Sequence, residues 1–246
     1  MSRFFVFVYG VSAYITALAS IAWLQFFIVD LFLPITIDTG AAPPTFEAVG
    51  TNLALIALFG LSHTVMARQG FKAFLTKFIP PAAERSTYVL VSALSIAVLV
   101  AFWRPISGSL WEVTSPAGVF ALKAIAMSGW MLVVYATFAI NHFDLFGLRQ
   151  VWLHLRNRSY TDLPMQDPFL YKIVRHPMQL GVLIGIWFTP DMTMGHLLMA
   201  GGLSLYIAVG LYFEERDLIR SFGDHYRSYR LQTPAVFPSL VKLLRI

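Results

Sequence analysis

The chain begins with an apolar run, Phe4–Val29, that reads FFVFVYGVSAYITALASIAWLQFFIV. The run carries no charged side chain and exceeds the about 20 residues that a helix needs to cross the hydrocarbon core of a bilayer. Arg3 before it and Ala17-Leu18-Ala19 within it imitate a secretory signal peptide, but the apolar run is too long for a cleaved one. We therefore expect a retained transmembrane helix here.

The rest of the chain is similarly apolar. Hydrophobic residues make up 57% of the sequence and charged residues only 13%, whereas a soluble domain has about 25% charged residues. Further apolar runs lie at Phe46–Met66, Tyr88–Trp103, Ala117–Ile140, Pro177–Phe188 and Thr193–Phe213. The run Pro177–Phe188 is short for a crossing, and a turn at Pro190-Asp191 joins it to the next run as a hairpin. The pattern predicts an all-α polytopic membrane protein with about six transmembrane helices.

The chain shows no internal repeat and no low-complexity tract. We therefore expect a single integral membrane domain over residues 1–246. Within it, residues 1–140 are predicted to form a four-helix scaffold. Residues 141–246 are predicted to hold the hairpin, the cytoplasmic segments and most of the polar chemistry.

The basic residues follow the positive-inside rule. Apart from Arg104 and Lys123, every Lys and Arg is Arg3 or lies in the segments 67–85, 141–176 and 214–246. This alternation fits six helices with both termini in the cytoplasm of a bacterial inner membrane. The net charge of +5 then reflects topology and attraction to anionic lipid headgroups, and no nucleic-acid partner is expected.

Several kinds of chemistry are excluded by the residues that are missing. The chain has no cysteine, so it has no disulfide, thiolate metal site or cysteine nucleophile. Neither a dinucleotide-binding glycine motif nor a P-loop occurs, and there is no H-E-x-x-H or similar metal-ligand cluster. We therefore predict no metal site.

A first polar cluster lies at the cytoplasmic start of the fifth helix, where residues 171–179 read YKIVRHPMQ. Pro177 suits the first position of a helix because its missing N–H costs nothing there. The free N–H groups of that first turn can bind an anionic group such as a carboxylate. The alternative is a basic interfacial anchor that only starts a helix.

A second polar cluster begins where the sixth helix leaves the membrane. Glu214 and Glu215 directly follow Tyr212-Phe213, and carboxylates at membrane level are functional candidates. The segment 214–230 continues as an amphipathic helix. The alternative is an interfacial helix whose charges are solvated.

More polar residues lie upstream at the cytoplasmic ends of the second to fourth helices. They are His63, Arg85, Tyr88, His142 and Asp144. Any one of them can be structural. Because all of them lie at the same predicted depth, we expect them to converge around one cavity.

Taken together, these motifs resemble a known superfamily. Arg175-His176-Pro177 at a helix start, followed by Glu214-Glu215 and an F-G-x-x-Y-x-x-Y spacing that ends at Tyr229, resembles the isoprenylcysteine carboxyl methyltransferases over about residues 141–235. Ser62-His63 and the motif that begins at Glu84 are similar to its NnrU branch. Within that branch the whole chain resembles the bacterial methanethiol S-methyltransferases, which make dimethyl sulfide from methanethiol with S-adenosyl-L-methionine.

The resemblance implies S-adenosyl-L-methionine as the cofactor and methanethiol as the substrate. The residues predicted from it to bind the cofactor are Tyr171, Arg175, His176, Pro177, Gln179, Glu214 and Glu215. Gln179 departs from the pattern, since prenylcysteine enzymes usually have a tyrosine there. Gly210 and Leu211 stand where those enzymes place an arginine for the substrate carboxylate, and this favours a small neutral thiol.

Methyl transfer to a thiol requires a thiolate, and a free thiol with a pKa of about 8.5 supplies little at neutral pH. Arg85 is predicted to favour the thiolate by its positive charge. His142 or His63 is predicted to take the proton, with Asp144 orienting the imidazole. Tyr88 completes the set of catalytic candidates.

Two other functions remain open from the sequence. One is an NnrU-type accessory membrane protein of nitrogen-oxide metabolism. The other is an NADPH-dependent membrane reductase, since sterol reductases have a similar C-terminal hairpin.

Overall fold

The computed structural model describes residues 2–161, 163–164 and 168–239. Lys242 and Arg245, which contributed to the predicted topology, lie outside the described residues. The elements in chain order are α1 (Arg3–Val29), α2 (Thr45–Met66), α3 (Gln69–Leu75), α4 (Pro81–Phe102), β1 (Ser109–Glu112), α5 (Pro116–Ile140), α6 (His142–Leu145), α7 (Leu148–Leu155), α8 (Phe169–Ile173), α9 (Pro177–Trp187), β2 (Asp191–Thr193), α10 (Met194–Phe222) and α11 (Asp224–Gln232).

The predicted all-α membrane fold is confirmed. Within the described residues, five helices are long and apolar enough to cross a membrane, namely α1, α2, α4, α5 and α10. The remaining predicted helix is α9, which has 11 residues. At 1.5 Å per residue it is about 16 Å long, against a hydrocarbon core of about 30 Å. The orientation of the termini stays a prediction.

The start of α4 differs from the predicted run at Tyr88. The helix begins at Pro81, with Pro80 as its N-cap residue and Glu84 in its first turn. Proline is favourable at a first helical position, and a carboxylate is favourable near a helix N-terminus. Arg85, which the sequence places at the cytoplasmic end of this helix, lies within it.

Contacts divide the chain into two compact units. Unit one is Met1–Trp111, Asn141–Asp162 and Met192–Met199, and unit two is Glu112–Ile140, Leu163–Asp191 and Ala200–Ile246. The predicted division at residue 140 stays a prediction.

Unit one is built around α4, which packs against α1, α2 and α7, while α1 also packs against α7. Val6, Ala83 and Val151 form a buried cluster where α1, α4 and α7 meet. A Cβ at Gly10 would lie 2.6 Å from a methyl carbon of Val151, so only glycine lets α1 approach α7 this closely. Asn52 on α2 is fully buried, and its side-chain amide exchanges hydrogen bonds of 2.7 and 2.9 Å with the backbone of Arg104.

In unit two, α5 and α9 cross with their backbones in contact. A Cβ at Gly181 would lie 2.5 Å from the carbonyl oxygen of Gly129, and one at Gly185 would lie 2.6 Å from the indole nitrogen of Trp130. The spacing of Gly181 and Gly185 predicts this close approach. The indole N–H of Trp187 donates to the hydroxyl of Ser204 at 2.9 Å, which links the two arms of the C-terminal hairpin.

The amphipathic segment 214–230 is divided between two helices, the end of α10 and α11. α10 continues to Phe222, and α11 follows after Gly223, whose φ is 58°. Glycine adopts this left-handed conformation without the steric cost that a Cβ brings. Tyr226, in the helix that follows this turn, is buried.

Candidate functional site

In unit one, His63 lies between two hydroxyl groups. Its Nε2 is 2.5 Å from the hydroxyl of Tyr88, and its Nδ1 is 2.9 Å from the hydroxyl of Ser92. The Ser92 hydroxyl also lies 2.8 Å from the carbonyl oxygen of Tyr88, to which it can only donate. Nδ1–H then donates to Ser92, and Nε2 accepts the proton of Tyr88. The hydroxyl protons of Ser92 and Tyr88 and the proton on Nδ1 of His63 each have one acceptor. Nε2 of His63 carries no proton, so His63 is a neutral imidazole.

Arg85 lies one turn before Tyr88 on α4. Its guanidinium carbon is 4.9 Å from the centroid of the Tyr88 ring, a cation–π geometry. Its Nε donates to the carbonyl oxygen of Leu145 at 2.7 Å. Arg85 therefore holds a positive charge beside Tyr88 and joins α4 to the end of α6.

His142 opens α6 and is buried among aromatic rings. Its Nε2 lies 2.8 Å from the hydroxyl of Tyr14 on α1, and its ring contacts Phe143 and Phe146 at centroid distances of 5.4 and 4.8 Å. Burial disfavours the charged imidazolium, so it lowers the pKa of His142 below its ordinary value of 6.5. The imidazole is therefore neutral at pH 7 and can accept a proton.

Asp144 does not take the position predicted for it. One carboxylate oxygen of Asp144 accepts from Arg149 at 2.9 Å, and the other accepts from the hydroxyl of Tyr160 at 3.3 Å. The imidazole of His142 bonds Tyr14 at its Nε2. The carboxylate therefore fastens α6 to the segment after α7, and the hydroxyl of Tyr14 is a hydrogen-bond partner of His142.

In unit two, Arg175 and Glu215 form a buried ion pair. Both Nε and Nη2 of Arg175 donate to Oε1 of Glu215, the former at 2.9 Å. The other carboxylate oxygen of Glu215 lies 3.2 Å from Nε of Arg230. Glu215 is only 13% exposed, and two guanidinium groups share its charge.

His176 lies between the two neighbouring carboxylates. Its Nε2 is 3.3 Å from Oε1 of Glu215, and its Nδ1 is 3.9 Å from Oε2 of Glu214. His176 is 4% exposed, whereas Glu214 is 48% exposed. The pair predicted from the sequence therefore divides into a buried carboxylate bound by arginines and an accessible one beside an imidazole.

Tyr171 and Tyr226 lie near the carboxylates of Glu214 and Glu215, and Tyr229 bonds the backbone of Tyr171. The hydroxyl of Tyr171 donates to the carbonyl oxygen of Ala136 at 3.4 Å, and the hydroxyl of Tyr229 donates to the carbonyl oxygen of Tyr171 at 2.5 Å. Burial, with the charge of Glu214 as a second cause, raises the pKa of Tyr171 to about 12. Burial, reinforced by Glu215, raises the pKa of Tyr226 to about 12. Both phenols therefore stay neutral at physiological pH.

Pro177 occupies the first position of α9, as predicted, with His176 as the N-cap residue. The first bond across the turn joins the N–H of Leu180 to the carbonyl of His176 at 3.1 Å. The N–H groups of Met178 and Gln179 precede that bond, so they are the donors that a helix start leaves for other partners. The side chain of Gln179 is half-buried in this turn.

Sequence reasoning missed four residues of these clusters. Tyr14 and Ser92 lie inside apolar runs, where a single hydroxyl gives no signal of its partner. Arg230 ends the segment interpreted as an interfacial helix and Thr233 lies just beyond it, and the backbone carbonyls of both accept from Arg175. Nothing in the local pattern indicates that this part of the chain folds back onto Arg175. The predicted convergence of His63, Arg85, Tyr88, His142 and Asp144 around one cavity stays a prediction.

The NnrU protein family model matches residues 52–234 of the chain. A methanethiol S-methyltransferase of Mycobacterium tuberculosis is 45% identical over 238 residues, covering 97% of this chain and 98% of that protein. Methanethiol S-methyltransferase 1 of Bradyrhizobium diazoefficiens is 46% identical over 236 residues, covering 96% and 83%. A more distant relative, nurim of Sus scrofa, is 27% identical over 179 residues, covering 68% and 66%.

No solved structure matches the chain. The family match and the two full-length relatives agree with the resemblance that the motifs carry. The chain belongs to the NnrU family and, within it, to the methanethiol S-methyltransferases.

Proposed function

We propose that this chain methylates methanethiol to dimethyl sulfide, with S-adenosyl-L-methionine as the methyl donor, at the cytoplasmic side of a bacterial inner membrane. Its relatives support the thiol methyltransferase activity, since their names describe it and they match over almost the whole chain. The observation that carries the proposal is the position of His176 between the carboxylates of Glu214 and Glu215.

The groups in unit two fit such a donor. S-adenosyl-L-methionine, when bound, supplies a methyl group on a positively charged sulfur. Glu214 offers an accessible carboxylate to a cationic group, while Glu215 is neutralised by Arg175 and Arg230. The first turn of α9 offers backbone N–H groups to a carboxylate. We therefore assign cation binding to Glu214 and give Glu215 a supporting role.

The groups in unit one fit the thiol. The proton of a neutral thiol must leave before or during attack, and His142 is a neutral imidazole in an apolar environment. We assign proton acceptance to His142, oriented by Tyr14. Arg85 supplies the positive charge that favours a thiolate. His63 and Tyr88 hold a hydrogen-bonded pair beside that charge.

A membrane location suits both reactants. Methanethiol is small and lipid-soluble, so it can enter from the bilayer, while a charged donor enters from the cytosol.

The test is headspace gas chromatography on cells that express the chain and are fed methanethiol, followed by the same assay on purified protein with S-adenosyl-L-methionine. Dimethyl sulfide above the empty-vector control is the expected result. No dimethyl sulfide from pure, folded protein contradicts the proposal. Binding of NADPH in place of S-adenosyl-L-methionine would favour the reductase instead.

A further inference from the structure

We infer that Arg175 is a positioning residue and not a cofactor ligand: it fastens residues 233–236, which we name the C-terminal strap, across the start of α9. The inference rests on the proposed function, since it assigns Arg175 a part in forming the cofactor site. It changes the role predicted for Arg175 from the sequence.

The donors of Arg175 are almost all engaged by the protein itself. A guanidinium has five N–H groups. Those on Nε and Nη2 donate to Glu215, and Nη1 donates to the carbonyl oxygens of Arg230, at 3.1 Å, and of Thr233. Four of the five N–H groups therefore have protein acceptors, and the side chain is only 7% exposed. Little of the guanidinium remains to face a ligand.

The strap is also paired with the start of α9 through the backbone. The N–H of Arg175 donates to the carbonyl of Pro234 at 2.9 Å, and the N–H of His176 donates to the carbonyl of Ala235 at 2.9 Å. Thr233 and Val236, at the two ends of the strap, are 4% and 9% exposed. The side chain of Arg175 and the backbone of Arg175 and His176 thus bind the same segment, the C-terminal strap.

The geometry links the strap to the proposed cofactor site through His176. The same residue whose N–H is held by Ala235 places its imidazole 3.9 Å from the accessible carboxylate of Glu214. If the strap detaches, the N-cap residue of α9 loses its backbone partner, and the imidazole loses its fixed position between the carboxylates. Arg175 acts on the site through this chain of contacts.

The neighbouring arginines provide a contrast. Arg227 pairs with Asp224 on the same helix at 2.6 Å, and these side chains are 63% and 92% exposed. Such surface pairs contribute little to stability. Arg227 therefore offers a matched control for Arg175, since it carries the same charge in the same part of the chain and bridges no other element.

The kinetic test compares Arg175→Lys with Arg227→Lys in purified full-length protein. Lysine keeps the charge but lacks the planar fork whose spread donors reach a carboxylate and two carbonyls in different directions. We expect Arg175→Lys to raise KM for S-adenosyl-L-methionine at least about tenfold, with KM for methanethiol unchanged. Arg227→Lys should leave both constants within about twofold of wild type. Equal kinetics for the two variants would overturn the inference.

A second measurement needs no turnover. Hydrogen exchange without the methyl donor should show faster exchange at the amides of Arg175 and His176 in Arg175→Lys and in Glu215→Gln, but not in Arg227→Lys. Unchanged protection in both variants would also overturn the inference. In the double variant that combines Arg175→Lys and Glu215→Gln, these amides should exchange no faster than in either single variant, because both substitutions break the same Arg175–Glu215 contact.

The two measurements separate this inference from the proposed function. If wild-type protein forms no dimethyl sulfide, the proposed function fails, and the exchange experiment still decides whether Arg175 holds the strap. If wild type is active and Arg175→Lys matches Arg227→Lys in either assay, the inference alone fails.

Discussion

The hydroxyl of Tyr14 on α1 lies 2.8 Å from Nε2 of His142, and the two rings meet edge to face with their centroids 5.6 Å apart. A residue from the first apolar run thereby fixes the imidazole that opens α6. The contact spans 128 positions of the sequence and holds the proposed proton acceptor in one orientation.

Protonation of His142 should lower kcat/KM for methanethiol at acidic pH. Its pKa lies below 6.5, so the neutral form dominates at pH 7 and is lost as the pH falls. We expect kcat/KM for methanethiol to be constant near pH 7 and to decline well below pH 6.5. His142→Gln should lower the plateau by about a hundredfold and abolish the decline, whereas His154→Gln should keep the wild-type profile. A His142→Gln enzyme with wild-type turnover would remove this residue from the base role.

The same shift has a consequence for stability. The folded state favours neutral His142 more strongly than the unfolded state does, since the unfolded pKa is the ordinary 6.5. The stability of the folded protein should therefore be undiminished above pH 6.5 and fall below it. Thermal unfolding in detergent should show a smaller loss between pH 7 and pH 5 for His142→Gln than for wild type. An equal loss in the two proteins would contradict this.

The hydroxyl of Tyr88 should contribute more to kcat/KM for methanethiol than the hydroxyl of Tyr9. Both tyrosines bond residues within unit one, Tyr88 to His63 at 2.5 Å and Tyr9 to Thr87 at 2.9 Å. Tyr88→Phe removes the proton that Nε2 of His63 accepts, so we expect kcat/KM for methanethiol to fall at least about tenfold. Tyr9→Phe removes a comparable bond away from the imidazole and should change it by less than about twofold. Similar kinetics for the two variants would make Tyr88 a packing residue only.

Glu214 should bind a cation. Glu214→Gln keeps the shape of the side chain but removes its charge, so KM for S-adenosyl-L-methionine should rise about tenfold or more. Asp217→Asn removes a charge from the same helix, where the carboxylate pairs with Arg220 at 3.2 Å, and should leave KM within about twofold. Isothermal titration with S-adenosyl-L-homocysteine, which lacks the sulfonium charge, should show a smaller difference between Glu214→Gln and wild type.

The contact between α5 and α9 should not accept a side chain at Gly181. A Cβ there would lie 2.5 Å from the carbonyl oxygen of Gly129 and 2.9 Å from a methyl carbon of Val133. Gly181→Ala should cost about 1–3 kcal/mol and lower the apparent melting temperature in detergent by several degrees. Gly201→Ala is the control, since a Cβ at Gly201 meets nothing within 4 Å. Equal melting temperatures for the two variants would contradict the close approach.

The sequence predicts the membrane helices well because lipid imposes a single pattern on them. Phe4–Val29 is a mostly apolar run without a charged side chain, and α1 follows it almost residue for residue. The apolar run alone does not show where polar residues continue a helix beyond the lipid. Arg85, expected at the cytoplasmic end of this helix, lies with Glu84 in α4 before the apolar run that starts at Tyr88.

The residues of the candidate site were also only partly predictable from the sequence. Motif residues such as His176 and Glu214 could be named from the sequence because their types and order resemble a known pattern. Their partners could not, since Tyr14 and Thr233 lie far along the chain and carry no signal that sets them apart from neighbouring residues. The different roles of Glu214 and Glu215 depend on which face of α10 turns toward Arg175, and the order of two adjacent identical residues does not show that.

The short length of α9 limits how far this helix can extend through the bilayer. A helix of about 16 Å reaches only halfway through the hydrocarbon layer, so at least one of its ends lies below the headgroups or the bilayer thins around it. Acyl chains offer no hydrogen bonds to the exposed peptide groups at such an end. The carbonyls of Pro234 and Ala235 accept from the N–H groups of Arg175 and His176 just before α9, so these peptide groups are satisfied by the protein itself and need no water.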